Sequence, residues 1–367
     1  MHRLASLSLA CLPAACLLAA CAKEPPQGRT PYQPSPAMRA VLDERQAMHA
    51  QDLSDLSVPR ARDVPALIDA ARAIPNVQGL PADFTEVPQE TQLVASGAEG
   101  PLPARLYRPA LARDTPVIVY FCGGTWVTGP IETYEESARQ LAKRTGYVVI
   151  LLRTRLAPEG QFPNIHDDAF ALYQWARAHF REWGADPTRV ALAGEGPGAN
   201  LALATALRAR DEAARGSPTP IPDHLLLITP LAGTELDTPS MRQNRNSRPL
   251  SRATVRWAQN RYAPNDLADP RIDLVARPDL AGMPPTTVIL AEIDPLRSGG
   301  DDLAARLAAA GVRTEAKVFA GTTADFFGLG LQVPEAAAAE DYAAARLKAA
   351  FYRPAPQAIQ PPTRRRR

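Results

Sequence analysis

The sequence predicts an α/β fold with a mostly parallel central sheet and helices on both faces. Short, continuously apolar segments alternate with longer amphipathic ones, which is the pattern of buried parallel strands joined by helices. The chain has 367 residues, of which 46% are hydrophobic, so it can bury one large core. We therefore expect one principal domain, at residues 37–352.

The individual elements follow from the same patterns. Strands are predicted at residues 102–107, 116–121, 147–152, 189–193, 224–229, 286–291 and 313–319. Helices are predicted at residues 134–144, 167–183, 199–213, 301–310 and 334–350. Helical pieces before the first strand, at 38–42 and 64–74, predict a helical cap or N-terminal arm. The segment 230–285 is too long for a simple connection, so we expect an insertion that shapes a lid or a pocket wall.

Residues 1–20 have the pattern of an export signal. A basic start is followed by an apolar run at residues 4–18 and by small residues before Cys21. The run is too short for a membrane-spanning helix. The sequence Leu18-Ala19-Ala20-Cys21 resembles the lipobox of bacterial lipoproteins, which implies cleavage before Cys21 and acylation of that residue. The alternative is an ordinary cleaved signal with an incidental cysteine.

An acylated Cys21 predicts a membrane partner and a place in the bacterial cell envelope. Ala22 follows the cysteine where an aspartate would favour the inner membrane, so the resemblance implies an outer-membrane lipoprotein facing the periplasm. Residues 21–36 are rich in proline and predict an extended tether. After signal removal Cys122 is the one free thiol, which leaves no intramolecular disulfide. The basic tail at 353–367 is expected to be disordered, with contact to anionic lipid headgroups as the alternative.

Charge and motifs exclude several classes of function. The formal net charge of +2 and the lack of a basic face argue against a nucleic-acid partner. The sequence contains no HExxH, CxxC, P-loop or dinucleotide-binding pattern, so we expect neither a metal nor another cofactor.

A glycine-rich turn at residues 194–198 is the most informative local feature. The segment reads Gly-Glu-Gly-Pro-Gly between a predicted strand and a predicted helix, which is the context that a G-x-S-x-G nucleophile elbow requires. Small residues on both sides allow the middle side chain to stand exposed above the sheet. Here the middle residue is Gly196, which has no side chain.

Taken in order, five segments make the chain resemble the hormone-sensitive-lipase-like group of bacterial esterases, which have the α/β-hydrolase fold. They are YFCGGTWVTG at 120–129, LAPE at 156–159 followed by FP at 162–163 and Asp168, GEGPGAN at 194–200, DPLR at 294–297 and FAGTTADFFG at 319–328. The family has H-G-G-G-W, L-A-P-E with F-P-x-x-x-x-D, G-D-S-A-G-x-N, D-P-L-R-D and Y-x-G-x-T-H-x-F-F-G at these places. The resemblance covers residues 36–352.

The same resemblance implies that the catalytic triad is incomplete. Gly196 stands at the position of the family's serine and Ala324 at that of its histidine, which leaves only the carboxylate, Asp294. Pro197 follows the nucleophile position and has no N–H to donate to an oxyanion. Because the three positions occur in the family's order, we expect them to converge at one end of the sheet. Asp294 without an imidazole is expected to cap a loop through backbone N–H groups.

Gly123 and Gly124 match the two glycines of the family's oxyanion turn. They either keep a partial anion nest or simply turn the chain.

The residues expected to line a pocket are Cys122, Trp126, Glu195, Phe326 and Phe327. A Cys122–His166 dyad and a Glu195–Asp294 acid/base couple are the alternatives for catalysis. Neither His166 nor His179 stands at the family's catalytic position, and both are expected to be surface or helix-end residues.

The sequence therefore predicts an envelope-anchored pseudoenzyme that binds a small apolar, acyl or aromatic ligand or a protein partner and lacks ordinary carboxylesterase activity. Two alternatives remain open. One is a residual or unconventional ester hydrolase of the same family. The other is a purely structural interaction protein whose pocket has collapsed.

Overall fold

One eight-stranded sheet organises the chain. The structure, a computed structural model, describes residues 32–74, 89–216 and 219–352. Its strands β1 to β8 are Gln89–Gly97, Gly100–Arg108, Thr115–Phe121, Val148–Leu152, Ala185–Glu195, His224–Ile228, Thr286–Ile293 and Thr314–Thr323. The strand order is β1-β2-β4-β3-β5-β6-β7-β8. β2 pairs antiparallel with β1 and β4, and all other neighbouring strands are parallel, which confirms the expected mostly parallel sheet.

Ten α-helices accompany the sheet in the described ranges. In chain order, α1 to α10 are Pro36–Ala47, Val58–Arg62, Leu67–Ala73, Glu135–Thr145, Asn164–His179, Pro197–Ala213, Pro239–Gln243, Arg252–Tyr262, Arg297–Ala309 and Pro334–Phe351. All seven predicted strands and all five predicted helices are present, with ends shifted by a few residues. Strand β1 was not predicted from the sequence, because its mixture of polar and apolar residues lacks the continuous apolar run of the central strands.

Both faces of the sheet are buried. On β3, Val117, Val119 and Phe121 belong to one apolar cluster, and the alternate residues Ile118 and Tyr120 belong to the other. Successive side chains of a strand point to opposite faces, so this alternation places one core on each side. The prediction of helices on both faces is thereby confirmed.

The N-terminal helices form the predicted cap. Helix α1 begins after Ser35, whose hydroxyl accepts the N–H of Met38 at 3.3 Å. The Ser35 N–H donates to the carbonyl of Gly321 at 2.9 Å, which fastens the start of the cap to strand β8. Met38, Val41 and Arg45 share the buried face of α1. The cap therefore lies beside the carboxyl end of β8.

The segment after β6 is the predicted insertion, and it contains α7 and α8. The amide of Asn200, in the first turn of α6, donates to the carbonyls of Leu231 at 2.9 Å and Ile272 at 2.8 Å. Two parts of the insertion are thus tied to the helix that follows the glycine-rich turn.

Residues 1–31, 75–88, 217–218 and 353–367 lie outside the described residues. The signal, lipobox and basic-tail predictions, and the tether up to residue 31, fall there and stay predictions. Within the described ranges, no helix combines the length and apolar character needed to cross a bilayer.

Candidate functional site

The turn between β5 and α6 keeps the shape of a nucleophile elbow. Gly196 has φ 50° and ψ −117°, and α6 begins at the next residue. A Cβ atom at Gly194 would lie 2.3 Å from the backbone of Gly198, and one at Gly198 would lie 2.2 Å from the carbonyl oxygen of Phe121. Both flanking positions therefore require glycine, and the predicted sharp turn at Gly196 is confirmed.

The space above Gly196 is open. A Cβ atom built there meets only the carbonyl oxygen of Gly124 within 4 Å, at 3.7 Å, an ordinary van der Waals distance. No neighbouring side chain has moved into the place where a side chain at this turn would begin. The positive φ still disfavours side-chain-bearing residues at this position.

Asp294 and Ala324 lie at the same edge of the sheet as Gly196. Asp294 directly follows β7 and Ala324 directly follows β8, and both strands run parallel to β5. Parallel strands place their carboxyl ends together, as the motif order predicts. Asp294 accepts the N–H of Leu296 at 2.8 Å, which confirms its expected loop-capping bond. Burial raises the pKa of Asp294 to about 7, although this N–H bond acts to lower it.

His166 lies in the first turn of α5, as predicted, but the expectation of a surface residue is wrong. The residue is buried rather than on the surface, because its ring is enclosed between α5 and the insertion. The Tyr262 hydroxyl lies 2.7 Å from Nδ1 and the Arg271 carbonyl 3.1 Å from Nε2, so both ring nitrogens have partners. Burial lowers the pKa of His166 to about 4. It therefore has no nitrogen left for Cys122, and the Cys122–His166 dyad does not form.

His179 lies in the last turn of α5, as predicted, with its Nδ1 2.8 Å from the Trp175 carbonyl.

The turn after β3 is held by a buried arginine. Arg153 donates to the carbonyls of Gly123 and Thr128, each at 3.1 Å. Gly124 has φ 95°, and a Cβ atom there would lie 2.1 Å from the Thr128 carbonyl oxygen. The turning role of this glycine is therefore required by the backbone. Among the described residues, no acceptor is bonded to the N–H of Gly123 or Gly124, so an anion nest at these groups stays compatible with the fold.

Glu195 is buried beneath the elbow and is hydrogen-bonded to a tyrosine. The hydroxyl of Tyr120 donates to its carboxylate. Burial raises the pKa of Glu195 to about 8, the Tyr120 bond opposes that rise, and the negative charge of Asp325 adds to it. No hydrogen bond joins Glu195 to Asp294, so the two do not form the acid/base couple considered above.

A cavity of about 350 Å³ lies between the cap and the turn after β3. Its wall includes Arg45, Leu67, Gly124, Tyr134, Leu250 and Asp325. The insertion thus contributes to a pocket wall, as predicted. Gly124 is part of the wall of this cavity, and its carbonyl oxygen is also the atom nearest to a Cβ built at Gly196.

The five side chains predicted to line a pocket do not line this cavity. Cys122, Trp126, Glu195, Phe326 and Phe327 are each 5% exposed or less, and none is on the wall of this cavity. The Trp126 ring stacks on Tyr262 with centroids 3.9 Å apart. Cys122, Phe326 and Phe327 pack in the apolar core below the cap, where burial raises the pKa of the Cys122 thiol to about 12. The apolar character of these three residues predicted their burial correctly. It did not predict that they pack in the core and not on the cavity wall.

Sequence reasoning missed the polar residues of the cavity wall, which include Arg45, Asp325 and Tyr134. Arg45 stands on the otherwise apolar face of α1, at helical spacing from Met38 and Val41, and such a charge in an apolar stripe was the available signal. Asp325 follows Ala324 and has φ 58°. Burial raises its pKa to about 6, with Arg45 acting in the opposite direction. The hydroxyl of Tyr134 is buried without a hydrogen-bond partner in the described chain.

The described ranges contain no group of three or more His, Cys, Asp or Glu side chains that is arranged to hold a metal ion.

Comparison with known proteins defines the class. The family model of the alpha/beta hydrolase fold named Abhydrolase_3 matches residues 118–328. The chain therefore belongs to this family, and the resemblance to hormone-sensitive-lipase-like esterases is confirmed.

Several of the relatives and solved structures are named esterases. Carboxylic ester hydrolase LipN of Mycobacterium tuberculosis is 34% identical over 65% of this chain and 64% of its own length. The match thus spans slightly less than two thirds of LipN. Carboxylesterase NlhH of the same species is 32% identical over 78% of this chain and 90% of its own length. The esterase of Pyrobaculum calidifontis has a TM-score of 0.74 and 30% identity, covering 86% of this chain and 98% of that one.

A serine-to-alanine variant of the esterase rPPE, in complex with (S)-Ac-CPA, is a further structural neighbour. Its TM-score is 0.76 and its identity 27%, and the alignment covers 87% of this chain and 99% of that one.

Proposed function

We propose that this protein is a non-hydrolytic member of its family that binds a small apolar, acyl or aromatic compound in the cavity beside the elbow. The observation that carries the proposal is the pairing of an elbow that keeps its shape with the absence of any side chain at Gly196. Acyl transfer needs a nucleophile, a base and oxyanion donors. Gly196, Ala324 and Pro197 supply none of the three.

The open space above Gly196 and the adjoining cavity support binding over a collapsed, purely structural site. A protein without a ligand to bind gains stability by filling such space, because voids forfeit packing contacts. In the described chain Trp126, Phe326 and Phe327 pack elsewhere. Among the neighbours, the serine-to-alanine rPPE variant is in complex with (S)-Ac-CPA. That complex supports the idea that a pocket of this fold binds a compound without one of its serines.

The names of the relatives favour a second candidate, an unconventional ester hydrolase. LipN and NlhH are both named as ester hydrolases. In such an enzyme the chemistry would have to come from Asp325 or from a bound water, because Cys122 and Glu195 are buried and Glu195 is bonded to Tyr120. Such an enzyme would work without the triad's nucleophile and base. Loss of these groups lowers kcat on the order of a million-fold.

A thermal-shift experiment tests binding. Wild-type protein is titrated with phenyl acetate, phenyl butyrate and 2-phenylethanol, and the midpoint of unfolding is measured. A ligand at a hundredfold excess over Kd raises apparent stability by about 2.7 kcal/mol, or a shift of several degrees. The variant Ala66→Phe places a ring at the cavity wall, and Ala40→Phe places the same ring on the exposed side of α1 as a matched control.

We expect the shift to disappear in Ala66→Phe and to persist in Ala40→Phe. If none of the three compounds shifts the wild type, the structural alternative replaces ligand binding. Equal shifts in both variants would place binding outside the cavity.

We also propose that the protein is a lipoprotein of the bacterial envelope, held by acylated Cys21 at the outer membrane. The lipobox resemblance supports this, and the proline-rich segment that follows would separate the folded body from the bilayer. Mass spectrometry of the N-terminal peptide from membranes should show a chain that begins at a diacylated or triacylated cysteine. A Cys21→Ser variant should lose the modification and leave the membrane fraction. An unmodified Cys21 in a soluble fraction contradicts the anchor.

A further inference from the structure

Arg45 is a buried cation without an ion pair. Only 6% of its surface is exposed, and its Nε donates to the Pro65 carbonyl at 2.8 Å. In the described chain, no carboxylate lies within ion-pair distance of its guanidinium, and its two terminal nitrogens have no hydrogen-bond partner. Burial lowers the pKa of Arg45, and Asp325 provides the strongest opposing attraction. The guanidinium forms part of the wall of the 350 Å³ cavity.

Asp325 is the matching anion on the same wall. Its carboxylate accepts no hydrogen bond from any described residue and makes no ion pair. The positive charge of Arg45 nevertheless acts to lower its pKa. The buried Tyr134 hydroxyl, also on this wall, lacks a partner as well. Three polar groups on the wall of one cavity therefore have no hydrogen bond to one another.

The other charged residues of the cavity wall either have partners or are exposed to solvent. Arg62 pairs with Glu159 and donates to the carbonyls of Val127 and Ala157. Asp69 accepts the N–H of Ala66. Asp63 is exposed to solvent. The charges inside the cavity that lack a partner are thus one guanidinium and one carboxyl group.

Buried polar groups without partners destabilise a fold by their lost hydration. A compound that brings a carboxylate to Arg45 and a hydrogen-bond donor to Asp325 satisfies both groups at once. Arginine binds carboxylates through two parallel N–H bonds, which is stronger and more directional than a neutral hydrogen bond. Val64, Leu67 and Leu250 offer apolar surface on the same wall for the rest of the molecule.

We propose that the cavity recognises a small organic acid that carries a hydroxyl or ammonium group near its carboxylate, with the carboxylate on Arg45 and the donor group on Asp325. This inference rests on the proposed ligand-binding function and specifies the class of ligand.

Three probes that differ by one group each test the assignment by isothermal titration calorimetry. 3-Phenyllactate has both the carboxylate and the hydroxyl. 3-Phenylpropionate lacks the hydroxyl, and 2-phenylethanol lacks the carboxylate. We expect 3-phenyllactate to bind wild-type protein about tenfold or more tightly than either analogue, because a charge-assisted hydrogen bond contributes on that scale.

Two variants assign the groups. Arg45→Met keeps the apolar stem and removes the charge, and it is expected to weaken 3-phenyllactate and 3-phenylpropionate about tenfold or more while leaving 2-phenylethanol unchanged. Asp325→Asn is expected to lower the preference for 3-phenyllactate over 3-phenylpropionate, since an amide is a weaker acceptor. Arg39→Met, on the exposed side of the same helix, is the matched control and should bind like wild type.

Equal affinity for the three probes, or wild-type affinity for 3-phenyllactate in Arg45→Met, overturns the inference. Such a result leaves the proposed function standing if 2-phenylethanol still binds and Ala66→Phe still abolishes its binding. If no probe binds at all, the inference fails, and the proposed function fails with it only if phenyl acetate and phenyl butyrate also leave the midpoint of unfolding unchanged.

Discussion

The turn at Gly196 and the loop at Ala324 lie at the same edge of the sheet, but they depart from the family in different ways. At Gly196 the backbone keeps the shape of the elbow, because Gly194 and Gly198 lie too close to their neighbours for any other residue to fit. The nucleophile side chain itself is missing. At Ala324 a small residue is followed by Asp325, which brings a negative charge to the cavity. The comparison teaches that packing constrains the residue types of the elbow, whereas the loop after β8 is distinguished by the charged group that it places on the cavity wall.

The largest expected effect tests the packing half of this comparison. Gly198→Ala should lower stability by about 1–3 kcal/mol or more, because its Cβ would lie 2.2 Å from the carbonyl oxygen of Phe121. Urea unfolding followed by circular dichroism measures the change. Gly299→Ala, also near a helix start but with its nearest contact at 3.6 Å, is the control and should be neutral or stabilising. Equal stability of the two variants would mean that crowding does not preserve the elbow.

A second variant tests how the elbow is joined to the insertion. Asn200→Ala removes two hydrogen bonds and leaves the buried carbonyls of Leu231 and Ile272 without this donor. We expect a loss of about 1–3 kcal/mol in the same unfolding assay. Asn164→Ala, which loses one exposed bond to Glu99, should change stability far less. A loss no larger than that of the control contradicts the anchoring role.

The charged half of the comparison predicts an unusual pH dependence. The pKa of Glu195 is about 8 in the fold and 4.5 for the ordinary group, so the folded state binds more protons between these values. Stability contributed by the protonated form is therefore lost as pH rises through this window. Glu195→Gln cannot titrate and can still accept the Tyr120 hydroxyl. Its melting temperature relative to wild type should rise by roughly a few degrees between pH 5 and pH 8.

Asp294 and Asp325 also have raised pKa values, but they are present in both proteins of that pair. The difference between the two melting curves thus reports the titration of Glu195 together with its electrostatic coupling to Asp325. A difference that stays constant with pH, or that falls as pH rises, would contradict a raised pKa at this position.

The smallest expected effect concerns Cys122, which lies next to the oxyanion turn but belongs to the core. Because burial raises the pKa of its thiol to about 12, native protein should react with iodoacetamide at pH 8 far more slowly than protein in guanidinium chloride. The measurement is the mass increase with time for both samples, and Cys122→Ala serves as the blank. Labelling of native protein at the denatured rate would return Cys122 to the list of possible nucleophiles.

The sheet and the elbow could be predicted from the sequence because they depend on local patterns. Continuous apolar runs mark the parallel strands, and Gly194 and Gly198 mark a turn that only glycine permits. Strand β1 was missed because an antiparallel strand at the sheet edge alternates polar and apolar residues weakly. The roles of Arg45 and Asp325 were missed because they arise only when a helix from the start of the chain meets a loop near its end.

His166 illustrates the same limit. Its position near the start of α5 indicates a helix-end residue, yet Tyr262 and Arg271, about a hundred residues further on, enclose its ring. No local pattern contains such a partner.

One turnover measurement tests the central claim that the elbow keeps its backbone shape but lacks the groups needed for ester hydrolysis. Purified wild-type protein, a Cys122→Ala variant and a triple variant carrying Gly196→Ser, Pro197→Ala and Ala324→His are assayed with p-nitrophenyl butyrate. The claim predicts that the first two match the buffer rate. It predicts that the triple variant, which has a hydroxyl, an imidazole and an oxyanion N–H next to Asp294, hydrolyses the ester measurably above buffer. Saturable hydrolysis by wild-type protein that survives purification would contradict the account.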